Sequence, residues 1–211
     1  MYRNMITKQE GRPRNPAISQ ALRQAAERRM EADGFGSLTV DGLVKEVGTT
    51  RQAFYRRYSR VSVLALEVIL TRFGESNPVD TGSLEADLLK LQRDDVSMMT
   101  TSLVRKNLPG MFEDIRTIPE VCAIYFERLI LPRRQNVGRV IDNAAARGEV
   151  NPPHVDAEYI CDLMFGAILS RLLLPTGLPV DDHFARETVA TAVHILTCPQ
   201  MSVSSIAAEG R

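Results

Sequence analysis

Apolar residues recur at helical spacing along almost the whole chain. Asn15 can cap a helix with Pro16 at its first position, and Ile18, Leu22, Ala25, Ala26 and Met30 form its inward stripe. That helix stops near Gly34, and Phe35 and Leu38 are expected to plug a small core. Thr39 can cap a second helix carrying Val40, Leu43, Val44 and Val47, with Asp41 where the helix dipole favours an acid. Gly48 supplies the left-handed residue that ends it, and Thr50 can cap a third helix after a tight turn. In the third helix Phe54 and Tyr58 lie one turn apart and face inward, leaving Arg51, Gln52, Tyr55 and Arg56 outside. Ser59 can cap a fourth, with Leu64, Val68 and Phe73 inward and Gly74 at its end.

From Asn77 to Gly82 the composition turns to Asn, Pro, Asp, Thr and Gly, which reads as a boundary. Ser83 can cap a long helix to about Lys106, whose apolar stripe is interrupted by Asp95 and Ser102. These two either pair inside a bundle, stay partly exposed or face a cavity. Asn107 to Thr117 reads as a short connecting helix with Met111, Phe112 and Ile115 inward. Pro119 then opens a long helix in which Cys122, Tyr125, Phe126, Leu129, Val137, Val140, Ile141 and Ala144 recur at helical spacing, with a kink expected at Arg128 to Leu131 ahead of Pro132. Arg147 and Gly148 close it. The segment after Asp156 is apolar all round, so one side can face the subunit core while the other needs a second molecule. A last helix from about Asp182 to Thr197 offers Phe184, Val189, Ala192, Val193 and Leu196 as a second interface surface, which makes homodimerisation through the last two helices the natural reading.

The fold class expected is all-α: a flexible basic arm at 1–15, a three-helix helix-turn-helix module at 16–74, and a helical bundle at 75–211 for effector binding and dimerisation. Net charge is zero over 211 residues, but it is segregated. Residues 1–74 hold thirteen Lys/Arg against seven Asp/Glu, and the remainder thirteen against nineteen, as expected if only the first third meets a polyanion. Three scattered cysteines, Cys122, Cys161 and Cys198, suggest neither disulfides nor a zinc site. No apolar run is long enough to cross a membrane and no signal peptide is evident, so a cytoplasmic location is expected. His154, His183 and His194 have no metal spacing, and no phosphate loop or nucleophile setting occurs, so neither an enzyme nor a cofactor is expected.

Two short helices, a glycine turn and a polar, cationic outer face describe a helix-turn-helix able to enter the major groove, although any helical hairpin has a solvated face. The chain resembles the TetR family of bacterial transcriptional regulators through Gly11 to Arg14 (GRPR), Ala25-Ala26, Gly34-Phe35, Thr39-Val40-Asp41, Val47-Gly48-Thr49-Thr50, Phe54-Tyr55-Arg56, Tyr58 and Leu64. It is similar more weakly through Ala145 to Val150, Asp156 and Arg171. Val61 stands where the family commonly has a lysine that meets a phosphate, and Val44 where it often has alanine; Arg60 is the candidate replacement for that lysine. The resemblance implies a homodimer whose two recognition helices meet successive major grooves of a palindromic double-stranded operator, and a small-molecule effector that weakens binding.

Among candidate residues, Arg51 and Gln52 suit base edges, since Arg pairs with guanine and Gln with adenine. Thr39, Thr50, Tyr55 and Arg56 suit phosphates, Thr39 and Thr50 also serving as caps, and Thr49 is a further DNA-binding candidate. Arg12 and Arg14 of the arm can track the minor groove or belong to a solvated tail. This reading needs the outer arginines free of acidic neighbours within the subunit. Met98, Met99, Phe112, Tyr125, Phe126, Tyr159, Met164 and Phe165 are candidate effector-site residues or plain core. Asp95 or Arg171 can orient a polar group there, and Arg171 can equally pair with an acid at the interface. The alternative is a helical DNA-binding or protein-interaction module with no small-molecule effector.

Overall fold

Capping and glycine chemistry set the first helices. In a computed structural model, which describes residues 16–74, 77–150, 156–174 and 176–198, α1 spans Pro16–Ala32, α2 Val40–Val47, α3 Arg51–Tyr55 and α4 Val61–Phe73. The arm with Arg12 and Arg14, and the cap at Asn15, lie outside the described residues. The Thr39 hydroxyl accepts from the Gly42 N–H at 3.1 Å, and that of Thr50 from the Ala53 N–H at 3.1 Å. Each such cap contributes about 1 kcal/mol. Gly48, at φ 69°, supplies the left-handed step between them.

Leu22, Ala25, Ala26, Met30, Leu43 and Phe54 are fully buried and close the three-helix core, with Leu38 and Tyr58 beside them. Phe35 departs from expectation. It belongs to a short 3-10 turn, Phe35–Ser37, and packs across to Gly110, where a Cβ would stand 3.5 Å from its ring. Ser59 also departs: its hydroxyl donates to Glu120 at 2.5 Å, and Arg60 occupies the cap position of α4 without a side-chain bond.

The second region holds α5 (Leu84–Met99), α6 (Ser102–Thr117), α7 (Pro119–Tyr125), α8 (Leu131–Ala146), α9 (Ala157–Leu173) and α10 (Asp182–Thr197). The long helix expected to reach Lys106 breaks at Thr100-Thr101, and α6 runs unbroken through Asn107. Both threonine hydroxyls bond back to carbonyls of the last turn, to Val96 and Met98 at 2.7 Å, and Thr101 then caps α6. Ser102 is exposed at the start of α6 rather than set in an apolar face. The kink before Pro132 takes the form of a π turn over Phe126–Ile130, consistent with the backbone bond that proline removes. That turn rotates the stripe, so Val121 is buried while Cys122 and Phe126 are exposed, contrary to the expected pattern.

The chain divides at residues 74–83 but its core does not. α4 buries Leu64, Ala65, Leu66, Val68, Ile69 and Leu70, residues on several sides of the helix, against α1 and against α6 and α7. The open C-terminus of α1 is capped from the other region: Asn107 donates to the Met30 carbonyl at 3.0 Å, and Lys106 to those of Glu31 and Ala32. The first module is therefore held at both ends, by α6 at α1 and by Glu120 at the start of α4.

Asp156 and Asp181 cap α9 and α10. The α10 residues expected at an interface instead pack inward: Phe184, Val189, Ala192 and Leu196 are buried, with α5 the main helix against them, and Val193 is half-buried. On α9, Tyr159, Gly166 and Leu173 remain exposed along one stripe, and Leu174 just beyond its end is exposed too. Asp182 fastens α10 to α5, accepting from Arg93 at 2.6 Å and from Arg186 at 2.8 Å. These bonds pull its carboxyl from the ordinary 3.8 down to about 2. A lowered pKa stabilises the fold above the ordinary value and loses that contribution as pH falls toward 2. Asp182→Asn is expected to flatten part of the stability loss between pH 4 and 2 in acid titrations followed by circular dichroism, by a small amount because the groups are exposed. An unchanged acid profile would show that the pair contributes nothing.

Candidate nucleic-acid interface and effector cavities

The outer face of α3 carries Arg51, Gln52, Tyr55 and Arg56, all exposed, with the Tyr55 ring edge-on to the buried Phe54 ring at 5.5 Å between centroids. Thr39 and Thr50 stand exposed at the N-termini of α2 and α3, where free N–H groups and the helix dipole favour phosphate, and Thr49 is half-buried in the turn. Arg57, next along, is structural: it bonds the Ser19 hydroxyl at 3.1 Å and the Ala53 carbonyl at 2.7 Å.

One expectation fails. Arg51 is not free, because its Nε and Nη2 donate side by side to the two carboxylate oxygens of Asp41 on α2. The guanidinium holds the Asp41 carboxyl below its ordinary range. Both side chains stay about two-thirds exposed (66% and 64%), so water and salt screen the pair and a DNA acceptor can compete for the arginine. Arg56 and Arg60 form no ion pair among the described residues, and Val61 is half-buried on α4, so Arg60 is the cation nearest in sequence to the missing lysine.

The effector candidates fall into three places. A cavity of about 380 Å³ is lined by Phe73 and Arg72 at the end of α4, by Asn77 to Val79, and by Leu91, Asp95, Met98, Val137, Met164 and Phe165. Its polar feature is an ion pair: Arg133 Nε donates to Asp95 at 2.6 Å, with side-chain exposures of 11% and 17%. Burial raises the Asp95 carboxyl above its ordinary range, and Arg133 offsets this in part. Asp95 thus pairs within the bundle and lines a cavity at once. Arg133 also donates to the Leu129 carbonyl at 2.6 Å and to the Met98 sulfur at 2.9 Å. Sequence reasoning missed it: pairing was one of three outcomes open to Asp95, and nothing in the spacing singled out Arg133 as the partner.

A second groove, of about 490 Å³, is lined by Phe112, Tyr125, Phe126, Phe165 and Leu169, and shares Arg133, Cys161 and Phe165 with the first cavity. Burial pushes the Tyr125 phenol up to about 12 and the Cys161 thiol up to about 11, so both stay protonated at neutral pH. Met99 and Arg171 lie apart, at a third cavity of about 560 Å³ formed with the 177–180 loop. Arg171 pairs with no acid among the described residues; it donates to the Pro179 carbonyl and lies over the Phe184 ring at 4.3 Å. Tyr159 lines none of the three and is 55% exposed on the outer stripe of α9. The expected single effector set is therefore split. Among the described residues no group of three or more His, Cys, Asp or Glu could hold a metal, and no helix is long and apolar enough to cross a membrane.

Residues 78–192, more than half of the chain, match the tetracyclin repressor-like C-terminal domain. The HTH-type transcriptional regulator YdeS of Bacillus subtilis is 28% identical over 185 residues, covering 86% of this chain and 91% of that protein. The TetR family transcription regulator SCO0332 shares the fold with a TM-score of 0.63 and 24% identity, over 86% of this chain and 99% of its own. A TetR transcriptional regulator from Agrobacterium tumefaciens does so with a TM-score of 0.66 and 16% identity, over 90% and 98%. With a helix-turn-helix whose recognition face is polar, and a bundle matching that domain, the chain belongs to the TetR family of transcription regulators and is not an enzyme.

Proposed function

We propose that this regulator is a ligand-responsive repressor, a cytoplasmic homodimer that binds a palindromic operator and is released from it by a small molecule. The observation that carries this reading is the position of α4. Its N-terminal end follows the recognition helix by five residues, and its C-terminal residues Arg72 and Phe73 wall the cavity holding Asp95 and Arg133. A ligand that alters the cavity's shape acts on a helix packed on both sides, and the helix-turn-helix moves with it. Strong switching requires the ligand to prefer one state by roughly 5.5 kcal/mol for a swing from 1:99 to 99:1. The exposed stripe of α9 supports a two-fold pairing of subunits, which would set half-sites roughly 34–36 Å apart or a multiple of that.

Under this reading Gln52 and Arg51 read bases; Thr39, Thr49, Thr50, Tyr55 and Arg56 hold phosphates; and the arm residues Arg12 and Arg14 reach the minor groove. The test is a gel-shift titration on the promoter adjoining the protein's own coding region. Gln52→Ala is expected to weaken operator binding while leaving non-specific binding intact, whereas Arg56→Ala weakens both and reduces the salt slope by roughly one. Operator affinity unchanged in both variants would remove α3 from the interface. A thermal-shift screen of apolar ligands tests the second half, since a ligand that binds only the folded chain raises its melting temperature.

A further inference from the structure

The groove between α6, α7, α8 and α9 is apolar along its length, and its polar atoms are nearly all donors. Phe112, Ile115, Tyr125, Phe126, Phe165 and Leu169 form its walls, with Arg116, Arg133 and Arg134 at its edges against one acid, Asp162. Asp162 and Glu158 already accept from Arg134, and Asp95 from Arg133, so of the three Arg116 alone carries an unopposed charge among the described residues. The arginines nevertheless keep donor capacity to spare. Arg116 is exposed and has no partner among the described residues. Arg133 spends Nη2 on the thioether of Met98, a weak acceptor. The Nε of Arg134 is buried without any acceptor. Buried donors in such a state are best satisfied by an acceptor-rich group, and charge-assisted bonds to an anion are the strongest available.

We propose that this groove binds an amphipathic organic anion, with its apolar body against Phe112, Phe126, Phe165 and Leu169 and its acidic head on the arginines. A volume of about 490 Å³ lies within the range of small-molecule sites, roughly 300–1,000 Å³. An organic cation would meet the unopposed Arg116 and the buried Nε of Arg134, and an uncharged chain would leave those donors unused. The groove is separate from the cavity walled by α4 but shares Arg133, Cys161 and Phe165 with it, so it adds a ligand class to the effector reading and rests on that reading only for its consequence at DNA.

Decanoate, decanol and decylammonium share one apolar body and differ in the head, so calorimetric titration of each into the full chain isolates the head's contribution. Decanoate is expected to bind at least tenfold more tightly than decanol, and decylammonium not at all. Phe126 is 46% exposed, so Phe126→Asp leaves the core intact and sets a negative charge in the groove; it should abolish decanoate binding, while Arg116→Gln weakens it severalfold. Equal binding of the three compounds, or full decanoate binding by Phe126→Asp, would overturn the proposal. So would a change of oligomeric state in Phe126→Asp with no decanoate bound to either form, which would make the groove a subunit contact. A gel shift in the presence of decanoate separates the two levels. Decanoate bound without DNA release keeps the site and removes its effector role, whereas release by other compounds with no decanoate binding sinks the site and spares the effector reading.

Discussion

Arg51→Ala is expected to lower operator affinity roughly ten- to hundredfold, the usual cost of losing one bidentate arginine contact to a base. Asp41→Asn is expected to act in the opposite sense on non-specific duplex. In the free protein Asp41 fills the side-on fork of Arg51, Nε and Nη2, and leaves the end-on fork through Nη1 open. A phosphate or guanine that takes the side-on fork must displace the carboxylate, whereas one that takes the end-on fork meets a guanidinium whose charge is already offset by Asp41. Asparagine at position 41 removes the competitor and a negative charge from the exposed surface beside Arg51. Affinity for a scrambled duplex should rise severalfold, its salt slope should steepen by about one, and the ratio of operator to scrambled binding should fall. The rival role for the pair is mechanical, a pin that fixes the angle between α2 and α3. Fluorescence anisotropy over a salt series decides between them. If Asp41→Asn and Arg51→Ala lower operator binding to the same extent, the pair is a pin and Arg51 reads no base.

That pairing shows where sequence reading stopped. Asp41 and Arg51 were each placed correctly, one in the first turn of α2 and one at the head of α3, because caps, glycines and the helix dipole are local signals. Their meeting depends on the direction of a turn that Gly48 and Thr49 set in three dimensions. Ser59 has the same lesson: serine before an apolar run reads as a cap, but Glu120, sixty-one residues away, takes its hydroxyl. Thr100-Thr101 ended a helix that apolar spacing alone carried on, since two adjacent threonines offer the backbone nearby hydroxyl partners and the apolar pattern does not register them.

Faces were harder than helices. The segment 157–173 was legible as apolar all round, and it does have an inner side, Ile160, Cys161, Met164 and Ile168, and an outer one. For α10 the inward residues were identified correctly as apolar but assigned to the wrong neighbour, because periodicity states that a stripe is buried and not whether α5 or a second subunit buries it. The effector residues were scattered for the same reason. Met98, Met164 and Phe165 do line one cavity, and Phe112, Tyr125 and Phe126 another, but the side chain between the two, Arg133, follows a proline in an apolar run and carried no pattern of its own.

Arg133 and Asp95 also set the largest stability effect expected in the second region. Both are nearly buried, at 11% and 17% exposure, and their bond is 2.6 Å. Asp95→Ala leaves a guanidinium in an apolar bundle with only a carbonyl and a thioether for company, and is expected to cost about 3–5 kcal/mol in urea denaturation. The double variant Asp95→Leu with Arg133→Met removes both charges and keeps the volume, so it should be close to wild type or more stable. A pair of this kind adds little to stability on balance, and Arg133 stands between two cavities. The raised carboxyl pKa gives a second signature. Because the folded chain takes up the Asp95 proton at higher pH than the unfolded chain, this group favours folding in acid and loses that contribution as pH rises through its folded value. Asp95→Asn should remove that slope. A single variant no less stable than a surface substitution, or a double variant as unstable as Asp95→Ala, would mean that the pair is solvated and that the cavity is polar by access to water rather than by design.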